Sequence, residues 1–357
     1  MPRPVPLLSV VSLSQNGGGI AAVARLMWEA LGQRFPEARL LRLIRGDHAQ
    51  PTLADKVRYA LTLGALQASG QVDSVIYAHV NLAKPLGSIP ATLIKPYTVF
   101  LHGIEAWCPL PERQLDQLAG AQLRVANSTY TAARVMQAHP SIGHVEACPL
   151  ALPQRDTPTT SRRSSLSIGE HAVLIVGRLS AAERYKGHDE LIETWPEVVA
   201  AVPDATLVIA GDGDDAPRLK EKARATGLGS SIRFTGFVAD EELDAFYRDS
   251  AVFAMPSRGE GFGLVYLEAM QRNLPCIGSI HDAARDVIVH GQTGLLVDQG
   301  RPGELANSLV TLLRDDDLRV RMGRLGHARL NEEFTADRFR HRLFSLLGST
   351  SSITAAA

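Results

Sequence analysis

Two segments of this chain place charged side chains where they could handle a phosphorylated ligand. Residues 253–270 read FAMPSRGEGFGLVYLEAM. The apolar run predicts a strand ending near Met255, the glycine-rich stretch a turn, and the residues from Gly263 a helix. Glu260 then lies just ahead of a helix N-terminus, and Glu268 about a turn and a half inside the helix. At ~1.5 Å rise per residue the two carboxylates address opposite ends of one extended ligand and do not share a proton. The free N–H groups at a helix start form an anion site, and Gly259, Gly261 and Gly263 would let the backbone approach that anion closely. A strand–helix turn with a solvated Glu260 and a helix-face Glu268 explains the segment equally well. The second segment, residues 176–187, reads VGRLSAAERYKG. It puts Arg178 and Lys186 on a loop after a strand, where two fixed cations suit a diphosphate. A basic surface loop is the plain alternative.

The elements that must position these residues follow from the pattern of the rest. Short apolar runs alternate with helix-period segments, which calls for βα units around parallel sheets. In the first half, strands are expected over 7–12, 39–43, 74–78, 98–101 and 124–127, and helices over 20–34, 53–67 and 128–138. Residues 150–168, LALPQRDTPTTSRRSSLSI, have linker composition. A second series puts strands over 173–177, 205–210, 232–235, 252–255 and 274–277, and helices over 187–201, 216–225, 240–249 and 264–272. Residues 302–347 read as helices alone, and the tail GSTSSITAAA as a fraying end. The expected organisation is an α/β domain over 1–165, a second over 166–335, and a C-terminal helix over 336–357 packed back on the first. Two such Rossmann-like domains face each other across a cleft at the carboxyl ends of their strands, where ligands of these folds bind.

Composition narrows the function classes. At 357 residues the chain has room for two cores. Its 37 Lys+Arg against 38 Asp+Glu leave no basic surplus for nucleic acid. A hydrophobic share of 45% excludes a disordered chain. Cys108, Cys148 and Cys276 are too far apart for a disulfide framework or a Cys-based zinc site, and read as small buried hydrophobes in a reducing compartment. Residues 5–13 are apolar but short and broken by Pro6 and serines, so they read as a first strand rather than a signal peptide. No stretch reaches the ~18 uninterrupted apolar residues of a membrane span. A cytoplasmic protein is expected, either free in solution or at the inner face of the cytoplasmic membrane.

Taken in order, Gly177-Arg178, Lys186-Gly187, Gly211-Asp212-Gly213, Phe234-Thr235-Gly236-Phe237, the pair Glu260 and Glu268, and GQTGLLV at 291–297 resemble glycosyltransferase family 4. Its members are retaining transferases of the GT-B fold that use nucleotide sugars. The likeness is dense over 173–297 and thin in the first half. It implies that Arg178 and Lys186 neutralise the diphosphate as the sugar bond breaks, that Glu268 holds the ribose hydroxyls, and that Glu260 contacts hydroxyls of the transferred sugar. Backbone N–H groups near Phe262, Gly263 and Leu264 would cap phosphate or sugar, and Val238 would meet the base. In the first half, Gly18 and Gly19, after Gly17, stand where the family has a glycine pair close to donor or acceptor. They do not form G-x-G-x-x-G. His102, followed by Gly103, resembles the active-site histidine that hydrogen-bonds the donor sugar. Ser128 resembles a family serine, with a helix N-cap as the plainer assignment. The barrier lies in charge on the leaving diphosphate and an oxocarbenium-like sugar, which positioned cations and dipoles lower without a metal. No cofactor and no obligatory metal are expected beyond the nucleotide sugar. The aspartates of GDGDDA, residues 211–216, miss an EF-hand spacing and read as a helix cap.

Two departures from the family pattern stand out. Pro149-Leu150-Ala151 replaces Pro-Asn-Gly before the second domain, and Asp282-Ala283-Ala284-Arg285-Asp286 replaces Gly-Gly-x-x-Glu, with Asp286 in place of the Glu. The expected activity is transfer of a hexose of mannose, glucose or galactose type from a GDP- or UDP-linked donor to a glycan or lipid-linked glycan, in cell-surface polysaccharide or glycolipid synthesis. A 2-epimerase of the same fold and a non-catalytic nucleotide-sugar-binding partner subunit are the alternatives. A pyridoxal-phosphate phosphorylase lacks a suitable lysine segment. The near-zero net charge conceals an asymmetry: residues 1–168 hold 16 basic and 10 acidic side chains, the remainder 21 and 28. A basic first half, with Arg34, Arg39, Arg42 and Arg45 clustered in it, suits an acceptor at an anionic membrane. A solvated arginine-rich junction explains it too.

Overall fold

The computed structural model describes residues 5–14, 18–46, 50–152 and 168–354. The chain divides into two units, Met1–Gln154 with Thr335–Ala357 and Arg155–Phe334. In the first unit, β1 (Pro6–Val10), β2 (Arg39–Arg42), β3 (Ser74–Tyr77), β4 (Tyr97–Leu101), β5 (Leu123–Ala126) and β6 (Glu146–Ala147) form one sheet in the order β2-β1-β3-β4-β5-β6. Every pairing is parallel. β1, PLLSV, and β4, YTVFL, are buried along their whole length. Helices cover both faces of such a sheet, so its inner strands are apolar at successive positions rather than alternate ones.

The second unit repeats the plan with β7 (Ala172–Val176), β8 (Thr206–Ala210), β9 (Ile232–Gly236), β10 (Val252–Ala254), β11 (Cys276–Ser279) and β12 (Gly294–Val297). Its order is β12-β11-β10-β7-β8-β9, again parallel throughout. The order reverses between β7 and β10, and the crevice beyond the carboxyl ends of such neighbours is where doubly wound sheets hold ligands. This is the pair of Rossmann-like parallel-sheet folds that the alternating pattern calls for. The last helix, Ala336–Thr354, belongs to the first unit, where Phe344 meets Phe35 edge-on at 5.9 Å and the Arg34 guanidinium lies 5.1 Å from the Phe344 ring centre.

Several features depart from expectation. Cys148 and Cys276 are buried as expected, but Cys108, at the end of the short helix Ile104–Trp107, is exposed. The first strand stops at Val10, and the first helix starts at Gly18, so Gly18 and Gly19 occupy its opening turn; Gly17 lies outside the described residues. The fifth strand of the second unit is shifted to Cys276–Ser279. The sequence pattern missed the helix Glu112–Ala119, the 3-10 run Val80–Ser88, and the strands β6 and β12. Most of the expected linker, residues 153–167, lies outside the described residues. The last helix is longer than expected and continues to Thr354.

Candidate functional site

The loop after β7 carries Arg178 and Lys186, and the loop after β10 carries Glu260, so both flank the reversal point of the second sheet. Their approach depends on glycine. At Gly187, φ is +93° and a Cβ would sit 2.7 Å from the Pro256 carbonyl oxygen, so only glycine lets the first loop close on the second. The Arg258 N–H donates to the Tyr185 carbonyl at 2.8 Å and completes the seam. Gly211 is packed as tightly, with a Cβ position only 1.9 Å from the Gly177 carbonyl.

Lys186 and Arg178 converge on one carboxylate, that of Glu183. Lys186 Nζ lies 3.3 Å from Oε2, and Arg178 pairs with Oε1. The Lys186 side chain is 18% exposed and Arg178 is 76% exposed, so the lysine is fixed and the arginine reaches out into solvent. Glu183 escaped the sequence reading although it is the one acid within residues 176–187. The turn Ala181–Lys186 is held by its neighbours: Asp214 Oδ1 accepts the Ala181 N–H at 3.0 Å, and Arg184 Nη2 donates to Asp215 Oδ1 at 2.7 Å. Here an expectation is corrected. Asp215 stands at the N-cap position of helix Ala216–Ala225 but makes no capping bond, because its buried carboxylate is taken by Arg184 and Arg218. Those guanidinium groups, Arg218 first, depress its pKa. His188, one residue past Gly187, is buried, and burial together with Lys186 lowers its pKa to about 4, so it is neutral.

Glu260 is half-buried, four residues before helix Leu264–Gln271, whose N-cap Gly263 has φ +87°. A Cβ on Gly263 would meet the Tyr266 ring at 2.5 Å and lie 3.3 Å from Glu260 Cγ. Leu264 opens the helix. Glu268 lies on its second turn and accepts a hydrogen bond from Tyr247 Oη at 2.9 Å. The Phe262 side chain is buried and packs edge-on against Phe334 at 5.9 Å, which leaves only its backbone to face a ligand. Val238 lies half-buried between β9 and helix Asp240–Asp249, beside the exposed Phe237. Behind Glu260 stands a second acid, Asp282, which the sequence shows as a departure from the family pattern but to which it gives no role. It is fully buried, accepts the Ala284 N–H at 2.9 Å and lies 3.4 Å from the Glu260 nitrogen, while the Ala283 N–H donates to the Glu260 carbonyl at 3.1 Å. Burial raises its pKa to about 8, and the Glu260 charge pushes the same way. Asp286, the expected stand-in for the family glutamate, is half-buried in the short helix Ala284–Val287.

In the first unit, His102 follows β4. Its Nε2 lies 2.6 Å from the Ala78 carbonyl oxygen. A carbonyl only accepts, so Nε2 carries the proton and Nδ1 remains an acceptor, which suits a sugar hydroxyl. Glu105 Oε1 accepts the His102 N–H at 2.6 Å, and Asn127 Nδ2 donates to the His102 carbonyl at 2.8 Å. His79, stacked on His102 at 5.9 Å, is kept neutral by burial, its pKa lowered to about 4. Ser128 caps helix Thr129–Ala138 through the Thr131 N–H at 2.9 Å. Within the second unit, therefore, Arg178, Lys186, Glu260 and Gly263 lie on the two loops beside one reversal point, and Leu264 and Glu268 on the helix that follows the second loop. His102, Gly18 and Gly19 belong to the first.

The sequence model of the family described as Glycosyl transferases group 1 matches residues 157–329. A GDP-mannose-dependent alpha-(1-6)-phosphatidylinositol monomannoside mannosyltransferase of Mycobacterium tuberculosis is 31% identical over 262 residues, covering 69% of this chain and 68% of the relative. A GDP-mannose-dependent monoacylated alpha-(1-6)-phosphatidylinositol monomannoside mannosyltransferase of Corynebacterium glutamicum is 31% identical over 299 residues, 78% of this chain and 77% of the relative. Among solved structures, sucrose-phosphate synthase from Thermosynechococcus elongatus superposes with a TM-score of 0.79 at 20% identity, covering all of both chains. Anabaena HepE in complex with UDP and glucose superposes with a TM-score of 0.74 at 18% identity, over 97% of this chain and 100% of that one.

Proposed function

The chain belongs to the group 1 glycosyltransferases and has the GT-B fold, and on that premise we propose that it moves a hexose from a nucleoside diphosphate sugar to a glycan or lipid-linked glycan with retention of configuration. The observation that carries the reading is the convergence of Arg178 and Lys186 on a carboxylate at the reversal point of the second sheet, across the Gly187 seam from Glu260. The two cations take the charge that builds on the departing diphosphate, and the N-terminus of helix Leu264–Gln271 adds its dipole. In the second unit Glu260 binds sugar hydroxyls, Glu268 the ribose and Val238 the base; in the first, His102 Nδ1 is the acceptor for a sugar hydroxyl, and Gly18 and Gly19 give the backbone close approach. Charge stabilisation by fixed side chains makes a bound metal dispensable. The mycobacterial and corynebacterial relatives carry GDP-mannose and a phosphatidylinositol mannoside in their names, which makes GDP-mannose the first donor to try and supports a lipid-linked acceptor. Work at an anionic membrane surface is part of the proposal. Among the described residues no helix is long and apolar enough to cross a membrane, and the supporting feature is an exposed apolar stripe on helix Leu53–Ala68.

The test is nucleoside diphosphate release from GDP-mannose and UDP-glucose, with lipid extract as acceptor and EDTA present. Wild-type protein releases nucleotide with one donor and transfers the sugar. Lys186→Ala and Glu260→Gln lower turnover at least a hundredfold with unchanged melting temperature. Full activity in both variants overturns the site, and activity that vanishes in EDTA and returns with magnesium overturns metal independence.

A further inference from the structure

The Glu183 carboxylate lies between the two cations assigned to the diphosphate, with one oxygen paired to each. It is not a loose surface partner. Its side chain is 15% exposed, and the turn that carries it is anchored on both sides of Glu183, by Asp214 at Ala181 and by Asp215 at Arg184. The Glu183 backbone leaves helical geometry at φ −119° and ψ 26°, so the turn breaks at this residue. Its own N–H is held by the Ser180 carbonyl at 2.8 Å. A ligand diphosphate and Glu183 therefore compete for the same two cations.

We infer that Glu183 is a built-in counter-ion that biases the diphosphate site against the spent nucleoside diphosphate and in favour of the sugar-bearing donor. The inference rests on the reading of Arg178 and Lys186 as the diphosphate site. A free nucleoside diphosphate carries about three negative charges at neutral pH and its glycosyl ester about two, because the terminal phosphate of the free form is largely ionised. Two bare cations favour the more charged species, which is the product, and would retain it after transfer. A fixed carboxylate at the same place repels each ligand in proportion to its charge and so penalises the product more. Glu183 also keeps Lys186 and Arg178 from repelling each other while the site stands open. The residue tunes affinity and release without entering the reaction.

The experiment is calorimetric titration of GDP and GDP-mannose, and of UDP and UDP-glucose, into the full chain carrying Glu183→Gln, Glu183→Ala or Lys186→Ala. Both Glu183 variants are expected to bind the free diphosphate about tenfold more tightly and, with two charges in place of three, the sugar ester about fivefold more tightly. In turnover they show stronger product inhibition and a lower kcat with a lower KM. Lys186→Ala weakens both ligands. Equal tightening of diphosphate and ester, no change, or weaker binding in both Glu183 variants overturns the discrimination. Weaker binding would mean that Glu183 merely holds the cations in place. If Lys186→Ala binds like wild type, or neither nucleotide binds wild type, the site reading falls and this inference with it.

Discussion

Asp282 is a carboxylic acid without access to solvent, packed against the backbone of Glu260 and the start of helix Ala284–Val287. Its ordinary pKa of 3.8 rises to about 8, chiefly through burial and further through the Glu260 charge, with Tyr266 as the buried phenol beside them. In the folded chain the group stays protonated over an interval in which the unfolded chain releases the proton. The unfolded state then binds fewer protons, so stability falls as pH rises from about 4 to about 8 and the loss is complete above that. Asparagine keeps the shape and cannot ionise. Asp282→Asn is therefore expected to melt near wild type at pH 4.5 and increasingly above it towards pH 8.5, read by calorimetry across the series. A difference in melting temperature that does not change with pH would show that Asp282 is not held protonated. A glycine in this place would have no side chain to support Glu260, so the brace depends on the Asp282 carboxyl group.

At the scale of elements, the loops after β7 and β10 are joined where backbone meets backbone, Gly187 against Pro256 and Arg258 against Tyr185. Gly187→Ala brings a left-handed penalty of about 1–2 kcal/mol. It also drives a methyl to 2.7 Å from the Pro256 carbonyl, which forces the loops after β7 and β10 apart. The expected result is a stability loss of about 2 kcal/mol or more in denaturant unfolding, together with nucleotide binding weakened well beyond that loss. Wild-type affinity in this variant would show that the seam does not shape the site. The same close packing explains what the sequence disclosed and what it withheld. β8, TLVIA, is legible because both of its faces are covered. β12 is not, because Gly294 opens it where a Cβ would strike the Cys276 carbonyl at 2.1 Å, and a glycine there looks like loop. The 3-10 run Val80–Ser88 holds Pro85 and has no 3.6-residue period to find. The positions of Arg178, Lys186 and Glu260 on loops after strands, and of Glu268 inside the next helix, are legible because apolar runs mark where the strands end. Their partners are not. The bracing of Glu260 by Asp282 depends on β10 lying beside β11, and the capture of Asp215 by Arg184 crosses from one loop to another. Pairings of that kind are set by strand order and not by spacing along the chain.

On the scale of the whole chain, charge divides with sequence: 16 basic to 10 acidic residues over 1–168, and 21 to 28 in the rest. Part of the basic excess is displayed in one place. Helix Leu53–Ala68 packs beside edge strand β2 through Arg58, which donates to the Leu43 carbonyl at 2.5 Å. Leu53, Val57 and Leu61 recur every four residues on its open side and are 77%, 51% and 70% exposed. A helix facing water along its whole outer side has no reason to carry three large apolar residues in line. Lys56 on the helix and Arg42 and Arg45 near the strand are exposed as well. Apolar side chains in register beside arginines match an anionic bilayer surface, where each cation contributes about 1 kcal/mol and the apolar stripe enters the interface. Sedimentation with vesicles tests this. Wild-type protein is expected to pellet with vesicles containing an anionic phospholipid, to remain in solution with purely zwitterionic ones, and to be released by salt. Arg42→Ala with Arg45→Ala should weaken binding and flatten its salt dependence. Val57→Ser with Leu61→Ser should weaken binding while the salt dependence and the melting temperature stay as in wild type. Equal binding to both vesicle types, or none to either, removes the membrane from the proposal. A dimer in sedimentation velocity that Leu61→Ser dissociates would assign the stripe to a second copy of the chain instead.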